Sequence, residues 1–321
     1  MIMDGFLVVD KPPGVTSHDI VAVVRAVTGL NKVGHTGTLD PFATGVLPLA
    51  LGGSTRLISY LDESLKVYDA VIQVGIQTDT GDPTGTVVRE APVPTLRLKE
   101  VEAVLASFCG ERQQVPHRYS AVKVQGRPLY AYARAGQEVE ARPRPIRIHA
   151  MELLELAPER VHVRIRCSRG TYARVIAEEL GEAFGTVGHL AELRREASGA
   201  FTLDHSVSMS RLATIVAGSP EWVQVLRTNR REDRVEWRDR ASILGGLQPF
   251  LLAPGAVLGH LPTLALSSIE ARKFVQTGVA PGLARGKPQS VLLLDGSDIV
   301  GVVPPGAQKA VVLAREPAPR A

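Results

Sequence analysis

Segments with strand-like and helix-like spacing of apolar residues alternate through the first two hundred residues, and this order constrains the fold more than any other feature. Residues 5–10, 68–74 and 160–167 are rich in β-branched residues with partial alternation, which predicts strands. Residues 18–27 and 171–184 carry apolar residues at helical spacing, and a glycine follows each run, as is typical of a helix end. The pattern predicts a mixed α/β domain but does not indicate which strands pair.

The C-terminal part of the chain has a different texture. A length of 321 residues corresponds to about two domains, so a second unit is expected. The sequence predicts short strands, separated by Gly and Pro turns, at residues 263–266, 290–294, 299–303 and 310–313. One helix is expected among them, at residues 268–276. We expect a larger domain over residues 1–245 and a small, mostly β domain over 246–321. So small a unit buries only part of its surface, and it would dock on the main domain or on a ligand.

The positive charge of the chain is concentrated in one segment. The formal net charge is +4, and residues 112–147 hold 8 Lys or Arg against 2 Asp or Glu. The rest of the chain carries 29 basic and 31 acidic residues, a slightly negative balance. A local basic segment suits a polyanion such as nucleic acid, although a solvated charged face would show the same composition.

Composition also excludes several classes of protein. The chain has only two cysteines, Cys109 and Cys167, so it is not a disulfide scaffold, and we expect both as buried free thiols. No apolar run approaches the roughly 20 residues that span a bilayer, and the first residues lack the features of a signal peptide. We therefore expect a cytoplasmic protein that does not associate with a membrane.

One carboxylate stands out in the irregular stretch 32–53, which predicts a long loop with one regular segment near residues 45–51. Asp40 lies between the apolar Leu39 and Phe42, and the proline that follows it restricts its backbone to extended geometry. A partly desolvated carboxylate suits nucleophilic or acid–base work, although Asp also serves as a turn or cap residue. The chain shows no phosphate-binding loop, zinc-ligand spacing or Ser-His-Asp signal.

Four segments carry a resemblance to a known family. They are residues 5–19, 34–49, 119–134 and 167–174, where the second runs from Gly34 to Leu49 and the fourth reads Cys-Ser-Arg-Gly-Thr-Tyr-Ala-Arg. In this order they resemble the motifs of the TruB-type tRNA pseudouridine synthases, and residues 34–49 resemble the catalytic signature. The resemblance runs from about residue 3 to residue 205, and four long motifs in order are far more specific than any single one.

The resemblance implies an isomerase that converts uridine 55 in the T loop of tRNA to pseudouridine. It implies a pseudouridine-synthase-type catalytic domain, with a mixed, mainly antiparallel sheet flanked by helices, and a small, mostly β PUA-like domain that binds RNA. No metal ion or organic cofactor is implied. The implied catalytic residue is Asp40, which either adds to the sugar or takes the 2′ proton to give a glycal, and the residues do not separate these routes.

The same resemblance implies roles for five further residues. Arg174 would pair with Asp40 and keep it ionised and oriented. Tyr68 and Tyr172 would line the uracil pocket, where a base turned out of the RNA stack needs an aromatic face. The remaining two are Leu193, an apolar wall of the pocket, and His35, which would insert into the T loop. By residue type alone, the two tyrosines and Leu193 also suit core packing, Arg174 suits a surface cation of a helix, and His35 suits a loop histidine.

The basic segment corresponds to the mobile RNA-gripping insertion of the family, which contacts phosphates and reads little sequence. Its lead-in, residues 115–118, is less Pro-rich than the family pattern, so the hinge of this loop is expected to differ.

The expected partner is the T-loop stem of tRNA, bound by a monomer without an obligate protein partner. A guide-RNA-dependent relative and a non-catalytic RNA-folding module are the alternatives. The cations predicted to bind RNA are Lys11, Arg118, Lys123, Arg127, Arg134, Arg142, Arg144 and Arg147.

Overall fold

The computed structural model describes residues 4–62, 64–222, 237–279, 282, 287–296, 298–307 and 309–313. Its larger sheet has eleven strands, most of them in antiparallel pairs, and helices pack against it. A separate four-stranded sheet follows near the C-terminus. This arrangement confirms the predicted mixed, mainly antiparallel sheet flanked by helices and followed by a small β unit.

The strands and helices are bounded as follows. In chain order the strands are β1 (Gly5–Lys11), β2 (Val33–His35), β3 (Thr44–Leu51), β4 (Lys66–Val74), β5 (Ile76–Thr78), β6 (Val87–Glu90), β7 (Gly110–Gln114), β8 (Lys123–Val124), β9 (Arg127–Pro128), β10 (Arg144–Ala157), β11 (Arg160–Cys167), β12 (Gly188–Ser198), β13 (Phe201–Thr202), β14 (Ser206–Ser208), β15 (Leu251–Leu252), β16 (Thr263–Leu266), β17 (Val291–Asp295), β18 (Asp298–Val303) and β19 (Val311–Val312). The α-helices are α1 (Ser17–Thr28), α2 (Leu98–Ser107), α3 (Leu129–Arg134), α4 (Ala173–Ala183), α5 (Met209–Ala217), α6 (Arg240–Leu247), α7 (Pro254–Val257) and α8 (Ser268–Thr277). None of these helices has the length and apolar character needed to cross a bilayer.

Helix α1 shows how local sequence sets an element that later supports the site. Thr16 and Asp19 form a capping box, in which each side chain accepts a hydrogen bond from the backbone N–H of the other residue. Gly29 ends the helix in the left-handed conformation, with a φ of 65°. The buried face, which includes Ile20 and Val24, packs into the main core. The helix is thereby fixed over the sheet.

The larger sheet runs in the spatial order β14–β1–β3–β12–β4–β11–β10–β7. Strand β12 lies at its centre, antiparallel to β4 and parallel to β3. The close approach of β3 and β12 requires a glycine at position 45. Its φ is 100°, and a Cβ there would lie 2.2 Å from the carbonyl oxygen of Arg195. The sequence analysis did not predict β12 as a strand.

Strand β1 is buried on both faces of the sheet. Leu7 and Val9 belong to the main core beneath the helices, whereas Phe6 and Val8 belong to a second cluster on the opposite face. That second cluster also contains Val302 from the small sheet, so the C-terminal unit docks on the main domain. The small sheet has the order β16–β17–β18–β19. Its strands and helix lie close to the positions that the sequence predicts.

The two cysteines are both free, but only Cys167 is buried. Cys109 follows the end of α2, next to edge strand β7, and is exposed, so the expectation of a buried thiol is wrong for it. Burial raises the pKa of the Cys167 thiol to about 11, which keeps it protonated at neutral pH.

Candidate active site

The loop between β2 and β3 carries Asp40, and hydrogen bonds hold it on both sides. The hydroxyl of Ser17, at the start of α1, accepts from the backbone N–H of Leu39 at 2.9 Å and donates to the Leu39 carbonyl at 3.0 Å. The backbone N–H of Gly14 donates to the Pro41 carbonyl at 2.9 Å. These bonds fix the backbone immediately before and after Asp40, which restricts where its carboxylate can point.

Lys11 lies under the same loop and is fully buried, with 0% of its surface exposed. Its ammonium donates to the carbonyl oxygens of Pro12, Val15 and Pro41, at 2.9, 2.9 and 3.1 Å. An amine that is enclosed and has three backbone acceptors is not placed to contact a phosphate. The prediction that Lys11 binds RNA is therefore corrected: as the last residue of a strand buried on both faces, it supports the loop that carries Asp40.

Arg195, which the sequence did not single out, holds the same loop from the centre of the sheet. This β12 residue is only 1% exposed. Its guanidinium donates to the carbonyl oxygens of Gly37 at 3.0 Å, Thr38 at 3.2 Å and Val46 at 2.7 Å. Buried carbonyls need donors, and one planar guanidinium supplies several at fixed angles. The signal in the sequence was weak, since a second arginine beside Arg194 suggests a surface pair.

Asp40 and Arg174 are brought together in a two-bond ion pair. Arg174 lies in the first turn of α4, and its Nε and Nη2 approach Oδ2 and Oδ1 of Asp40 at 3.0 and 3.2 Å. The arginine side chain is 5% exposed, whereas that of Asp40 is 32% exposed. Bidentate pairing of this kind fixes the direction of a carboxylate as well as its charge. The free surface of Asp40 opens into the cleft described below.

Opposing influences act on the charge of Asp40. Burial raises the pKa of Asp40, and the carboxylate of Asp82 raises it further, whereas Arg174 and Lys11 act in the opposite direction. The net direction is upward, because the loss of water outweighs the two cations. The guanidinium is thus the main group that favours the ionised carboxylate at this position, and removing it would leave two acidic groups facing each other.

Arg174 has further partners that sequence spacing could not reveal. Its Nη1 donates to the carbonyl of Thr80 at 3.1 Å and lies 3.6 Å from Oδ2 of Asp82, while Nη2 donates to the carbonyl of Tyr119 at 3.3 Å. His117 also approaches Nη1, at 3.2 Å. Within the described ranges, no group of three or more His, Cys, Asp or Glu side chains is arranged to hold a metal ion. The acidic groups here face the arginine.

The three predicted pocket residues line one cleft together with Asp40. The cleft has a volume of about 1180 Å³, which exceeds the usual range for small-ligand pockets. Tyr68 projects into it from β4, Tyr172 from the residue before α4, and Leu193 from β12. Burial raises the pKa of the Tyr68 hydroxyl to about 12, so it stays protonated. The side chain of Gln114 binds both backbone polar groups of Tyr172 and fixes its position.

His35 also lines the cleft, on the side formed by β2 and α1. Its ring meets the ring of His18 edge-on, with centroids 5.7 Å apart. Burial lowers the pKa of His35, and His18 and Arg195 add to this. Among the residues that the structure describes, its buried Nδ1 has no hydrogen-bond partner, and neither has the hydroxyl of Ser120, which also lines the cleft. Ser120 was missed at the sequence level, although it lies within the third motif.

Several basic side chains also line the cleft. Arg134 and Arg144, both predicted, line it together with Arg169, which the sequence did not single out although it lies in the fourth motif. Three arginines of the basic segment lie over tyrosine rings of the same segment, at 4.7 to 5.5 Å from the ring centroids. The predicted cations that are exposed to solvent are Arg118, Lys123, Arg127, Arg134, Arg142, Arg144 and Arg147.

Comparison with known proteins gives matches over most of the chain. A family model described as TruB family pseudouridylate synthase, N-terminal domain, matches residues 25–173. A model described as tRNA pseudouridylate synthase B C-terminal domain matches residues 174–227. Similar curated relatives are the tRNA pseudouridine synthases B of Geobacter sulfurreducens and Chromohalobacter salexigens. The first is 42% identical over 87% of this chain and 83% of its own length, the second 45% over 85% and 80%.

Solved structures show the same fold at lower identity. A crystal structure of a Cbf5-Nop10-Gar1 complex has a chain that matches with a TM-score of 0.66 and 24% identity, over 94% of this chain and 78% of its own. An archaeal box H/ACA sRNP Nop10-Cbf5 complex gives a TM-score of 0.63 and 23% identity, over 94% and 79%. Because the relatives exceed 40% identity over most of both chains, the protein belongs to the TruB family of pseudouridylate synthases.

Proposed function

We propose that this protein converts uridine 55 in the T loop of tRNA to pseudouridine. Its curated relatives carry the name tRNA pseudouridine synthase B. The observation that carries the proposal is the Asp40 carboxylate, paired with Arg174 and open to a cleft lined by Tyr68 and Tyr172. This arrangement offers a flipped-out nucleoside an aromatic surface beside a fixed negative charge.

The reaction is an isomerisation with no net gain or loss of atoms. The C1′–N1 bond breaks and leaves its electron pair on uracil, the base turns, and a C1′–C5 bond forms. The proton at C5 is then lost, and N1 gains one. Positive charge develops at the sugar when the first bond breaks, so a fixed carboxylate is useful there. Asp40 either adds to C1′ or takes the 2′ proton, and both routes need it ionised and aimed at the sugar.

The neighbouring residues would receive and hold the base. Tyr68 and Tyr172 offer faces for stacking, which is worth about 1–3 kcal/mol per base, and Leu193 closes the apolar side of the pocket. His35 would occupy space in the T loop vacated by the extruded base. Turning uracil within the pocket requires a smooth wall that does not hold one orientation, and an apolar side chain provides this.

The exposed cations of the basic segment would grip the tRNA backbone. Phosphate contacts position an RNA without reading its sequence, which suits an enzyme that acts on one position of many different tRNAs. The small domain assigned to residues 246–321 would extend the contact as a PUA-like RNA-binding unit. The protein would act in the cytoplasm as a monomer, on the T-loop stem, without a protein partner, metal ion or cofactor.

The direct test is Asp40→Asn (D40N) in a pseudouridine assay on an unmodified tRNA transcript. The amide keeps the shape of the side chain but can neither carry the negative charge nor accept the 2′ proton. We expect pseudouridine formation to fall below detection while tRNA binding stays within about threefold, because phosphate contacts dominate the affinity. Turnover of D40N near that of the wild type would refute the role of Asp40.

The same assay separates the alternatives. A stand-alone enzyme modifies the bare transcript, whereas a guide-dependent relative needs added RNA and protein. A non-catalytic folding module would bind tRNA and form no product in either the wild type or D40N. Mapping the modified position on the transcript checks that it is position 55.

A further inference from the structure

His117 belongs to the lead-in of the basic segment, where this chain departs from the more Pro-rich pattern that the resemblance implies. It follows β7, is 8% exposed, and lies against the tip of the loop between β5 and β6. Its ring stacks on Tyr119, with centroids 5.9 Å apart and planes inclined by 27°. A buried histidine beside the catalytic pair is unexplained by the functions assigned above.

The hydrogen bonds of His117 define its tautomer. Nδ1 lies 3.2 Å from Nη1 of Arg174 and 3.2 Å from the backbone nitrogen of Tyr119. Both of those groups can only donate, so Nδ1 must accept and cannot carry a proton. The proton of the neutral ring therefore resides on Nε2, which faces Oε1 of Glu178 at 3.9 Å. A second proton on the ring would break two hydrogen bonds and place a positive charge beside a guanidinium.

We propose that His117 is a positioning residue whose unprotonated Nδ1 holds the guanidinium of Arg174 in the orientation that grips Asp40. The proposal rests on the proposed function, because orientation matters through the work of Asp40. The guanidinium of Arg174 cannot rotate without losing hydrogen bonds to Asp40, the backbone carbonyls or His117. Losing the acceptor at Nδ1 leaves Nη1 with only the Thr80 carbonyl and Asp82 as partners among the described residues, so the guanidinium can turn toward them and the two-bond contact with Asp40 weakens.

The contact also joins two parts of the cleft. His117 and the carbonyl of Tyr119 both belong to the basic segment, and both accept from Arg174. On the other side Arg174 meets Asp40 and the loop that contains Thr80. Arg174 thus connects the start of the RNA-gripping segment to the catalytic loop. A shift of that segment on RNA binding would be transmitted to Asp40 through this one side chain.

The electrostatic surroundings of His117 keep the ring neutral. Burial lowers the pKa of His117 to about 4, and Arg174 adds to this, so the acceptor form persists at neutral pH. Burial also raises the pKa of Glu178 to about 7, so its charge near the ring is reduced. The charged or titratable groups that face the ring are Arg174 and Glu178 from α4, Asp79 and Asp82 from the loop between β5 and β6, and Arg118 from its own segment.

The test uses two variants of nearly equal size. His117→Asn (H117N) places an amide oxygen where the imidazole has Nδ1, whereas His117→Leu (H117L) fills the same space without an acceptor. Each is assayed with excess enzyme on a tRNA transcript, so that the rate of one turnover is measured apart from binding. We expect H117L to lower this rate about tenfold, with tRNA affinity within about twofold, and H117N to stay within about threefold of the wild type.

Several outcomes would overturn the proposal. H117L as active as the wild type would mean that the acceptor is not needed, and equal losses in both variants would mean that the imidazole ring matters for a reason other than the acceptor at Nδ1. Weaker tRNA binding with an unchanged single-turnover rate would mean that His117 contributes to RNA binding and not to the orientation of Arg174. Wild type and D40N are run alongside, because a wild type that forms no pseudouridine contradicts the proposed function and not this inference.

A measurement on the unaltered protein keeps the inference testable if a variant fails to fold. Nitrogen-15 NMR of histidine-labelled wild type reports which ring nitrogens carry protons, and the H117N spectrum assigns the signals. At pH 7 we expect His117 with a bare Nδ1 and a protonated Nε2. A proton on Nδ1 at that pH would overturn the proposal whatever the kinetics show.

Discussion

Two regions at the cleft, the surroundings of Arg174 and the basic segment, are held in different ways. Arg174 is buried and has partners on three other segments of the chain. Arg127 and Arg134, in the basic segment, are exposed and bind mainly within their own segment, to a tyrosine ring and, for Arg127, to the carbonyl of Ala131 and the side chain of Gln137. Contacts with distant segments of the chain fix Arg174, whereas contacts inside the basic segment hold Arg127 and Arg134.

The difference matches what each part must do. Breaking a glycosidic bond needs a charge at one place, and preorganised groups supply it without reorganisation during the reaction. Gripping a backbone of phosphates tolerates variation, because each contact is long-ranged and similar to the next. The comparison predicts that changes in the fixed part alter the rate, whereas changes in the exposed part alter affinity.

The largest effect is expected at Arg174. Arg174→Met (R174M) removes the cation and leaves Asp40 and Asp82 as neighbouring carboxylates, which raises the pKa of Asp40 further. We expect the single-turnover rate at pH 7 to fall at least about hundredfold, the loss typical of removing one essential donor. We also expect the residual rate to rise with pH over a higher range than in the wild type, because the carboxylate must be ionised.

Arg174→Lys (R174K) serves as the matched control for charge. It keeps the cation but loses the planar two-bond geometry. If charge alone matters, R174K retains most of the rate. If orientation matters, as the structure indicates, R174K falls clearly below the wild type while its pH dependence stays close to normal.

A smaller effect, on affinity alone, is expected in the exposed part. Replacing Arg142, Arg144 and Arg147 together by alanine should weaken tRNA binding and flatten its salt dependence. Each lost phosphate contact removes roughly one unit from the slope of log affinity against log salt. The rate at saturating enzyme should stay within about threefold. Titrations at four or five salt concentrations measure the slope.

A second triple variant controls for net charge. Arg89, Arg97 and Lys99 are exposed and do not line the cleft, so their replacement removes the same charge elsewhere. Equal slopes for the two triple variants would mean that the basic segment faces solvent and not the RNA.

The smallest effect concerns stability and tests how the catalytic loop is held. Lys11→Met (K11M) removes the ammonium from three carbonyls, which should cost about 1–3 kcal/mol of unfolding free energy. Burial lowers the pKa of Lys11 to about 8 from the usual 10.5. Between those pH values the unfolded chain binds more protons than the folded protein, so the stability from Lys11 rises with pH. Urea unfolding should show the gap between wild type and K11M widening from pH 8 to 10.5; a constant gap would contradict this.

Elements coded by neighbouring residues could be predicted from the sequence. Helix α1 has its capping residues Thr16 and Asp19 within one turn, and Gly29 marks its end. The strands of the small sheet likewise follow from short apolar runs between turns. Asp40 could be singled out because its apolar neighbours, and then the resemblance, mark the loop. These signals are local, so no knowledge of the tertiary structure was needed.

Features created by distant contacts could not be predicted in this way. Strand β12 contains Ala, Glu, Leu and Arg, which favour helices, and it is a strand because β3 and β4 pair with it on both sides. His117 and Asp82 reach Arg174 from loops that lie far from it in the sequence. Lys11 was predicted to bind RNA, whereas the fold encloses it.

The position of β1 has a consequence for biosynthesis. Strand β1 pairs with β14 at residues 206–208 and with β15 at Leu251–Leu252. Its two outer partners emerge from the ribosome some two hundred residues later. Pairings of such high sequence separation form slowly and leave apolar strands uncovered in the meantime. Until residues 206–252 have been translated, β1 can pair only with β3, so one edge of this apolar strand stays without its backbone partners.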